Sequence, residues 1–414
     1  MIRRFFKQLG LKLALVAAVL GPGVISATAD NDAGGIATYS IVGAHFGTSM
    51  LWVLILLTLA LAITQEMGMR IGLVTRQGLG GIIRENFGVR LTVLAMLALV
   101  VANLGTTAAE FAGIAASFSL FGVSKYVIVP IMGLLVWVIL YKGSFKLTQR
   151  IFLAFSLLYV VYVVNAFFIK PDFGRALQDL VSPQIAWNAS FLFTLVALIG
   201  TTITPWGQFF IQSYVVDHGL DTRHYALEKI EVYFGALLTN AISFFIIIST
   251  AATLYPLGIR IEGAVDAARA LEPLAGHLAQ VLFAGGLFAA SMLGAFILPV
   301  TTAYALCEAF GWEAGFDTTW KNGKVFYSII LLFIILPSLL VLIPGISLFK
   351  LILLAQNVNG ILLVFILLFV MKLVNNKRLM GEYVNKPFSN IIAWATIACL
   401  IILSLLLVGS SLFG

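Results

Sequence analysis

Apolar residues run in eleven long stretches along the chain, near 11–45, 48–72, 91–120, 125–141, 151–168, 189–215, 232–255, 278–305, 325–343, 348–374 and 390–413. About 20 apolar residues rising 1.5 Å each cross roughly 30 Å of hydrocarbon, so each stretch predicts a spanning helix. Two of the eleven carry their own interruptions. Residues 21–40 read GPGVISATADNDAGGIATYS, with Pro22, two aspartates and the pair Gly34 and Gly35 inside the apolar run. Residues 199–210 read IGTTITPWGQFF, with Pro205 and Gly207 in the middle. Proline removes a backbone donor and crowds the preceding turn, and glycine loses extra entropy in a helix, so both spans should break at mid-membrane. The broken spans are the first and the sixth. Interrupted helices at matching positions of two halves are the pattern of an inverted-repeat transporter with its site at the midplane.

Composition strengthens the membrane assignment. The 414 residues are 61% hydrophobic and 10% charged, against about 25% charged in soluble domains. This excludes a soluble enzyme, a disordered chain and a nucleic-acid binder. The formal charge of +7 fits cytoplasmic loops better than a polyanionic partner. With the N-terminus in the cytoplasm and the C-terminus outside, 19 of the 25 Lys and Arg fall inside and 6 outside, Arg70 being counted with the inside loops. No loop is long enough for a soluble domain, so residues 1–414 read as one transmembrane domain. The short loops and the lack of a cleavable leader fit a bacterial inner membrane. Cys307 and Cys399 suggest no disulfide framework, and the four histidines show no zinc spacing. A phosphate loop and an assembled catalytic triad are both absent, so neither an ATP-driven pump nor an enzyme is expected, and no resident cofactor.

Few polar groups remain inside the spans. Asp32 stands beside Gly34 and Gly35 at the first break. A buried carboxylate next to unwound carbonyls describes a cation site, and the same residue is also placed to cap the following half-helix. Asp30 could line the same cavity or an access path. Thr201, Thr202 and Thr204 flank the second break; threonine often bonds back to its own helix, but the carbonyl facing Pro205 loses its donor and is free to meet a ligand. Glu110 lies deep in the third span, as a functional carboxyl or as a protonated bond to a neighbouring helix. Gln356 and Asn357 interrupt the tenth span, as helix glue or as ligands. Glu66 sits near a span end.

These words resemble a known family. GPG at 21–23 followed by Asp32-Ala33-Gly34-Gly35, TQEMGMRIGLVT at 64–75, TTAAEFAG at 106–113, LLAQNVNGILL at 353–363 and LMGEYVN at 379–385 are similar to motifs of the NRAMP divalent-metal transporters. The resemblance implies an all-α, LeuT-like fold: repeat one over about 11–168, repeat two over about 189–374 and an extra helix over about 390–413. It implies Asp32 as the carboxylate ligand, the carbonyls of Ala29 and Thr201 as metal-facing, and Gln356 as a group that closes over the ion.

The departures shape the expected cargo. The family's Asn in D-P-G-N is Gly35 here, and M-P-H becomes Thr204-Pro205-Trp206. Thr204 thus puts a hydroxyl where the family has a thioether. Oxygen donors suit Mg²⁺, Mn²⁺ and Ca²⁺, and Mg²⁺ usually keeps several waters, so the pattern resembles the NRAMP-related magnesium branch. The third-helix Asp is Thr107, the His after Pro205 is Trp206, and Gln208 or Gln212 stands near a second expected His. With titratable groups thinned, proton coupling should be weak or absent. The expected partners are a divalent cation, Mg²⁺ before Mn²⁺, and the bilayer, with no obligate protein partner. A proton-coupled Mn²⁺/Fe²⁺ importer and a sodium-coupled organic-solute symporter are the rivals.

Overall fold

The computed structural model describes residues 31–142, 160–315 and 322–413. The first half of span one, with Ala29 and Asp30, and the start of span five lie outside these residues. The described chain is helical throughout, without strands. Its main helices are α1 (Ala33–Phe46), α2 (Leu51–Thr75), α3 (Leu79–Ser119), α4 (Lys125–Lys142), α5 (Val160–Ile169), α6 (Phe173–Val181), α7 (Ala189–Thr202), α8 (Pro205–Asp217), α9 (Tyr225–Thr253), α10 (Ala279–Phe310), α11 (Lys324–Leu342), α12 (Leu348–Val374) and α13 (Pro387–Phe413). Nine apolar segments among the described residues are long enough to cross a membrane, α7 and α8 together making one of them. Of the first and fifth of the eleven expected spans, α1 and α5 are the parts that fall within the described residues.

The helices pair in a way that brings the halves together. α1 packs on α7, α2 on α9 and α3 on α10, and α12 lies against α3, α7 and α1. Close approach is built into these seams: a Cβ on Gly200 of α7 would run into the Gln356 carbonyl and the Gly360 backbone of α12. Leu, Ile and Phe project outward over much of the bundle, as a lipid-facing surface allows.

The end of the bundle where α2 stops and α3 starts is rich in arginine and holds several polar ties. α3 begins twelve residues before its predicted span. Its first segment reaches Gly88, where φ is 75° and ψ 177°, a backbone state open to glycine and strained for side chains. The apolar count missed this segment because Arg84, Glu85 and Asn86 make it amphipathic. Glu308, near the end of α10, reaches across to the start of α3. It accepts from the Gly80 amide and, at 3.2 Å, from the Ser213 hydroxyl of α8. Its carboxyl fills the space a side chain on Gly78 would need.

Arg70 corrects the loop count made from sequence. It lies within α2, 4% exposed, and pairs with Glu66 one turn earlier at 3.2 Å. Glu66 is likewise well inside the helix, where Tyr225 donates to it at 2.7 Å. Arg70 also donates to Asn385 Oδ1 at 2.6 Å, tying α2 to the loop between α12 and α13. Moving one arginine leaves the inside–outside asymmetry intact.

Candidate functional site

Asp32 is the N-cap of α1. Its backbone is extended, and its Oδ1 accepts from the Gly35 amide at 2.9 Å. The capping reading of this residue therefore holds, and its carboxyl is also hydrogen-bonded with that of Glu110. The position of Gly34 and Gly35 differs from expectation. They are helical, in the first turn of α1, so the non-helical stretch ends at Asp32. A threonine, serine or aspartate cap followed by small residues starts a helix efficiently, which the emphasis on glycine as a breaker obscured.

Glu110 of α3 comes to the same place. Its Oε2 accepts from the Ala33 amide at 3.3 Å, and its carboxyl faces that of Asp32. Both residues are almost fully buried. Two carboxyls facing each other in an apolar interior call for positive charge between them, from a proton or a metal cation. Gly294 of α10 leaves the room that the Glu110 side chain occupies.

The second break falls at Ile203 and Thr204, both extended, between α7 and α8. Thr204 caps α8, its hydroxyl accepting from the Gly207 amide at 3.2 Å. Pro205 has no N–H, so the Thr201 carbonyl lacks the donor a continuous helix would supply. The Thr201 hydroxyl, also buried, has no hydrogen-bond partner among the described residues. Thr202 is bonded to Tyr39 of α1 at 2.9 Å, which joins the two broken helices.

Gln356 of α12 links both breaks. Its amide lies over Gly34 beside Asp32, and its backbone carbonyl lies against Gly200, one residue before Thr201. The structure thus gathers Asp32, Gly35, Glu110 and Gln356 at one point, with Thr201 and Thr204 on the adjoining break. The other expected residues stand apart. Thr107 bonds back to the Asn103 carbonyl at 2.7 Å. Trp206 is buried edge-on to Phe210, its indole N–H unpaired among the described residues. Gln208 reaches toward Gly68 of α2, its Oε1 without a partner among the described residues. Asn357 bonds back to Leu353 at 3.0 Å.

Three residues escaped the sequence reading. Asn359 donates to Gln356 Oε1 at 3.0 Å, Thr106 donates to Asn359 Oδ1 at 3.0 Å, and Tyr39 meets Thr202. A three-residue spacing put Asn359 on the face of Gln356, which was the available signal. Among the described residues no three His, Cys, Asp or Glu cluster as a metal site would usually require. Any cation held here must rely on one or two carboxyls and neutral oxygens.

A polytopic helical bundle, with a buried carboxylate capping α1 and a helix interrupted at Ile203 and Thr204, defines a membrane protein of LeuT-like fold. Within that class the chain belongs to the Nramp family: the model described as natural resistance-associated macrophage protein-like matches residues 23–410. A Klebsiella pneumoniae (strain 342) protein named divalent metal cation transporter MntH is 24% identical over 405 residues, covering 96% of this chain and 95% of its own length. The protein of that name from Bacillus subtilis (strain 168) is 23% identical over 399 residues, covering 94% and 91%. Among solved structures, the Eremococcus coleocola manganese transporter with an aromatic bis-isothiourea substituted compound superimposes with a TM-score of 0.76 at 17% identity, over 95% of this chain and 86% of that one. MhsT with L-phenylalanine gives 0.64 at 15% identity, over 94% and 98%. At these identities the structural likeness speaks to fold.

Proposed function

We propose that this protein is a secondary carrier of divalent cations, Mg²⁺ first and Mn²⁺ second, working by alternating access between two five-helix repeats. It would sit in a bacterial inner membrane with its N-terminus in the cytoplasm. The names of the relatives support divalent cations as cargo. What supports the Mg²⁺ preference is Thr204: the cap of α8 carries a hydroxyl where a thioether would favour softer metals, and the Asp32 carboxylate, the Thr201 carbonyl and the Gln356 amide oxygen would complete a donor set of oxygen alone. Such a set favours hard ions, and a site with few charged ligands suits an ion that keeps part of its water. Uptake would follow the membrane potential. Two charges crossing 100 mV gain about 4.6 kcal/mol, enough for accumulation on the order of a thousandfold.

A second reading is proton-coupled Mn²⁺ import. The facing carboxyls of Asp32 and Glu110 favour it, as do the relatives' names. One experiment separates the two: flux of Mg²⁺ and Mn²⁺ into proteoliposomes carrying an internal pH dye. The Mg²⁺ reading expects Mg²⁺ entry without acidification, loss of flux in Asp32→Ala, and a shift towards Mn²⁺ in Thr204→Met. Acidification that tracks ion entry, or an unchanged Mn²⁺:Mg²⁺ ratio in Thr204→Met, would overturn it.

A further inference from the structure

The Gln356 amide is held at its oxygen end. Its Oε1 receives a hydrogen bond from Asn359 Nδ2 at 3.0 Å, and Asn359 Oδ1 in turn receives one from the Thr106 hydroxyl at 3.0 Å. Its Nε2 lies at Gly34, next to Asp32 Oδ1, and has no hydrogen-bond partner among the described residues. All three side chains are fully buried. In this arrangement Gln356 turns its N–H₂ end to the carboxylate. A cation at Asp32 needs the opposite end, because an N–H₂ group is a donor and cannot ligate a metal.

Turning the Gln356 amide over would place Nε2 against Asn359 Nδ2, two donors face to face, unless Asn359 turns as well. If it does, Gln356 donates to Asn359 Oδ1, and Asn359 donates to the Thr106 hydroxyl. A hydroxyl both donates and accepts, so it tolerates either direction. Its proton already has a second acceptor, the Ala102 carbonyl at 3.0 Å. Every hydrogen bond is kept in both directions, and the two amide ends have nearly the same shape.

We propose that Gln356, Asn359 and Thr106 form a reversible hydrogen-bond relay. In one direction it aims an N–H₂ group at Asp32, and in the other it aims a carbonyl oxygen at a divalent cation bound there. Asn359 and Thr106 are positioning residues that act through Gln356. This rests on the carrier reading above. Thr106 is the switch point because it alone can reverse its role without turning over.

The test is a double-mutant cycle on Mg²⁺ uptake into proteoliposomes, with Mn²⁺ measured in parallel. Thr106→Val keeps the shape and removes the hydroxyl; Thr106→Ala repeats the deletion with different packing; Thr106→Ser restores the hydroxyl. Losing one neutral hydrogen bond of about 1 kcal/mol corresponds to roughly a fivefold rise in KM. That rise is expected in Thr106→Val and Thr106→Ala, with Thr106→Ser close to wild type. In a Gln356→Ala background the same substitutions should add nothing, since groups acting through one another are non-additive. Full additivity, or a wild-type KM for both hydroxyl deletions, would overturn the relay while leaving the carrier reading standing. Wild-type protein that moves neither ion would overturn the carrier reading itself, and the relay with it.

Discussion

Gly34→Ala separates the stability of the site from its function. The new methyl group would stand 2.6 Å from Gln356 Cδ and 2.9 Å from Asp32 Oδ1, whereas ordinary contact begins near 3.4 Å. The Gln356 amide nitrogen would be closer still, so the amide must retreat by well over 1 Å and the Asp32 carboxyl by about 0.5 Å. That amide is buried and held by Asn359, so the retreat loses a hydrogen bond of about 1 kcal/mol. Against it stands a gain: Gly34 is in the first turn of α1, and glycine to alanine in a helix is worth roughly 0.5–1 kcal/mol. The two effects nearly cancel, so the folded protein should be about as stable as wild type. Ion binding should suffer, because a dipole on a charged partner contributes about 1.5–3 kcal/mol. KM for Mg²⁺ should rise roughly 10- to 100-fold. The assay is proteoliposome uptake across an ion titration, with thermal unfolding of the same preparation in detergent. Gln356→Ala should give a similar KM, and the double variant no worse. A Gly34→Ala protein that unfolds at or above the wild-type temperature and keeps the wild-type KM would refute the placement of Gln356 over the ion.

Two further predictions concern the arginine-rich end. Arg70→Gln strands Glu66 in a buried position with the Tyr225 hydroxyl still donating to it, and breaking a buried pair from one side costs about 3–5 kcal/mol. A sharp drop in thermal midpoint is expected by fluorescence-detected size exclusion, largely recovered in Glu66→Gln/Arg70→Gln; equal destabilisation of both variants would argue against a charge effect. Asp221, in the loop before α9, is bonded by Arg223 and bridged to Arg76 at 3.4 Å. The Arg223 guanidinium pulls its carboxyl down to about 2, so the bridge is fully present above the usual carboxylate value of 3.8 and fades only as pH falls towards 2. Transport across pH 5–8 should be blind to this group, whereas Asp221→Asn should speed amide exchange at Arg76 and in the Thr222–His224 turn at neutral pH.

The broken spans were legible because punctuation stands out in an apolar background. Pro205 has no N–H wherever it is placed, and a lone Asp32 or Gln356 in a span has few harmless explanations. Which neighbour each group meets was not legible. Asn359 reads as one more amide in LLAQNVNG until α3 supplies Thr106 from 253 residues away in sequence. Arg70 reads as a loop charge because pairing with Glu66 is invisible to a count of positive residues. Gly34 and Gly35 read as breakers because propensity is a weak prior; the Asp32 cap and the packing of Gln356 onto Gly34 decide in favour of helix. The early start of α3 was hidden for the opposite reason, since its amphipathic first turns fall below any threshold set for lipid-facing helices.

The carboxyl of Glu308 at the start of α3 has a mechanical meaning. Most helices carry their own cap in the sequence just before them, but at Gly78 any side chain would collide with the visiting carboxylate. The first turn of α3 thus depends on a group lent by α10, and the loan ends when the two helices part. Opening the bundle along that seam would fray α3 from its first residue and leave the acid with the Ser213 hydroxyl of α8 alone of its two donors. The seam is therefore a poor place for a moving gate and a good place for an axle. Motion has an easier outlet ten residues on, at Gly88, where the backbone already departs from helical geometry.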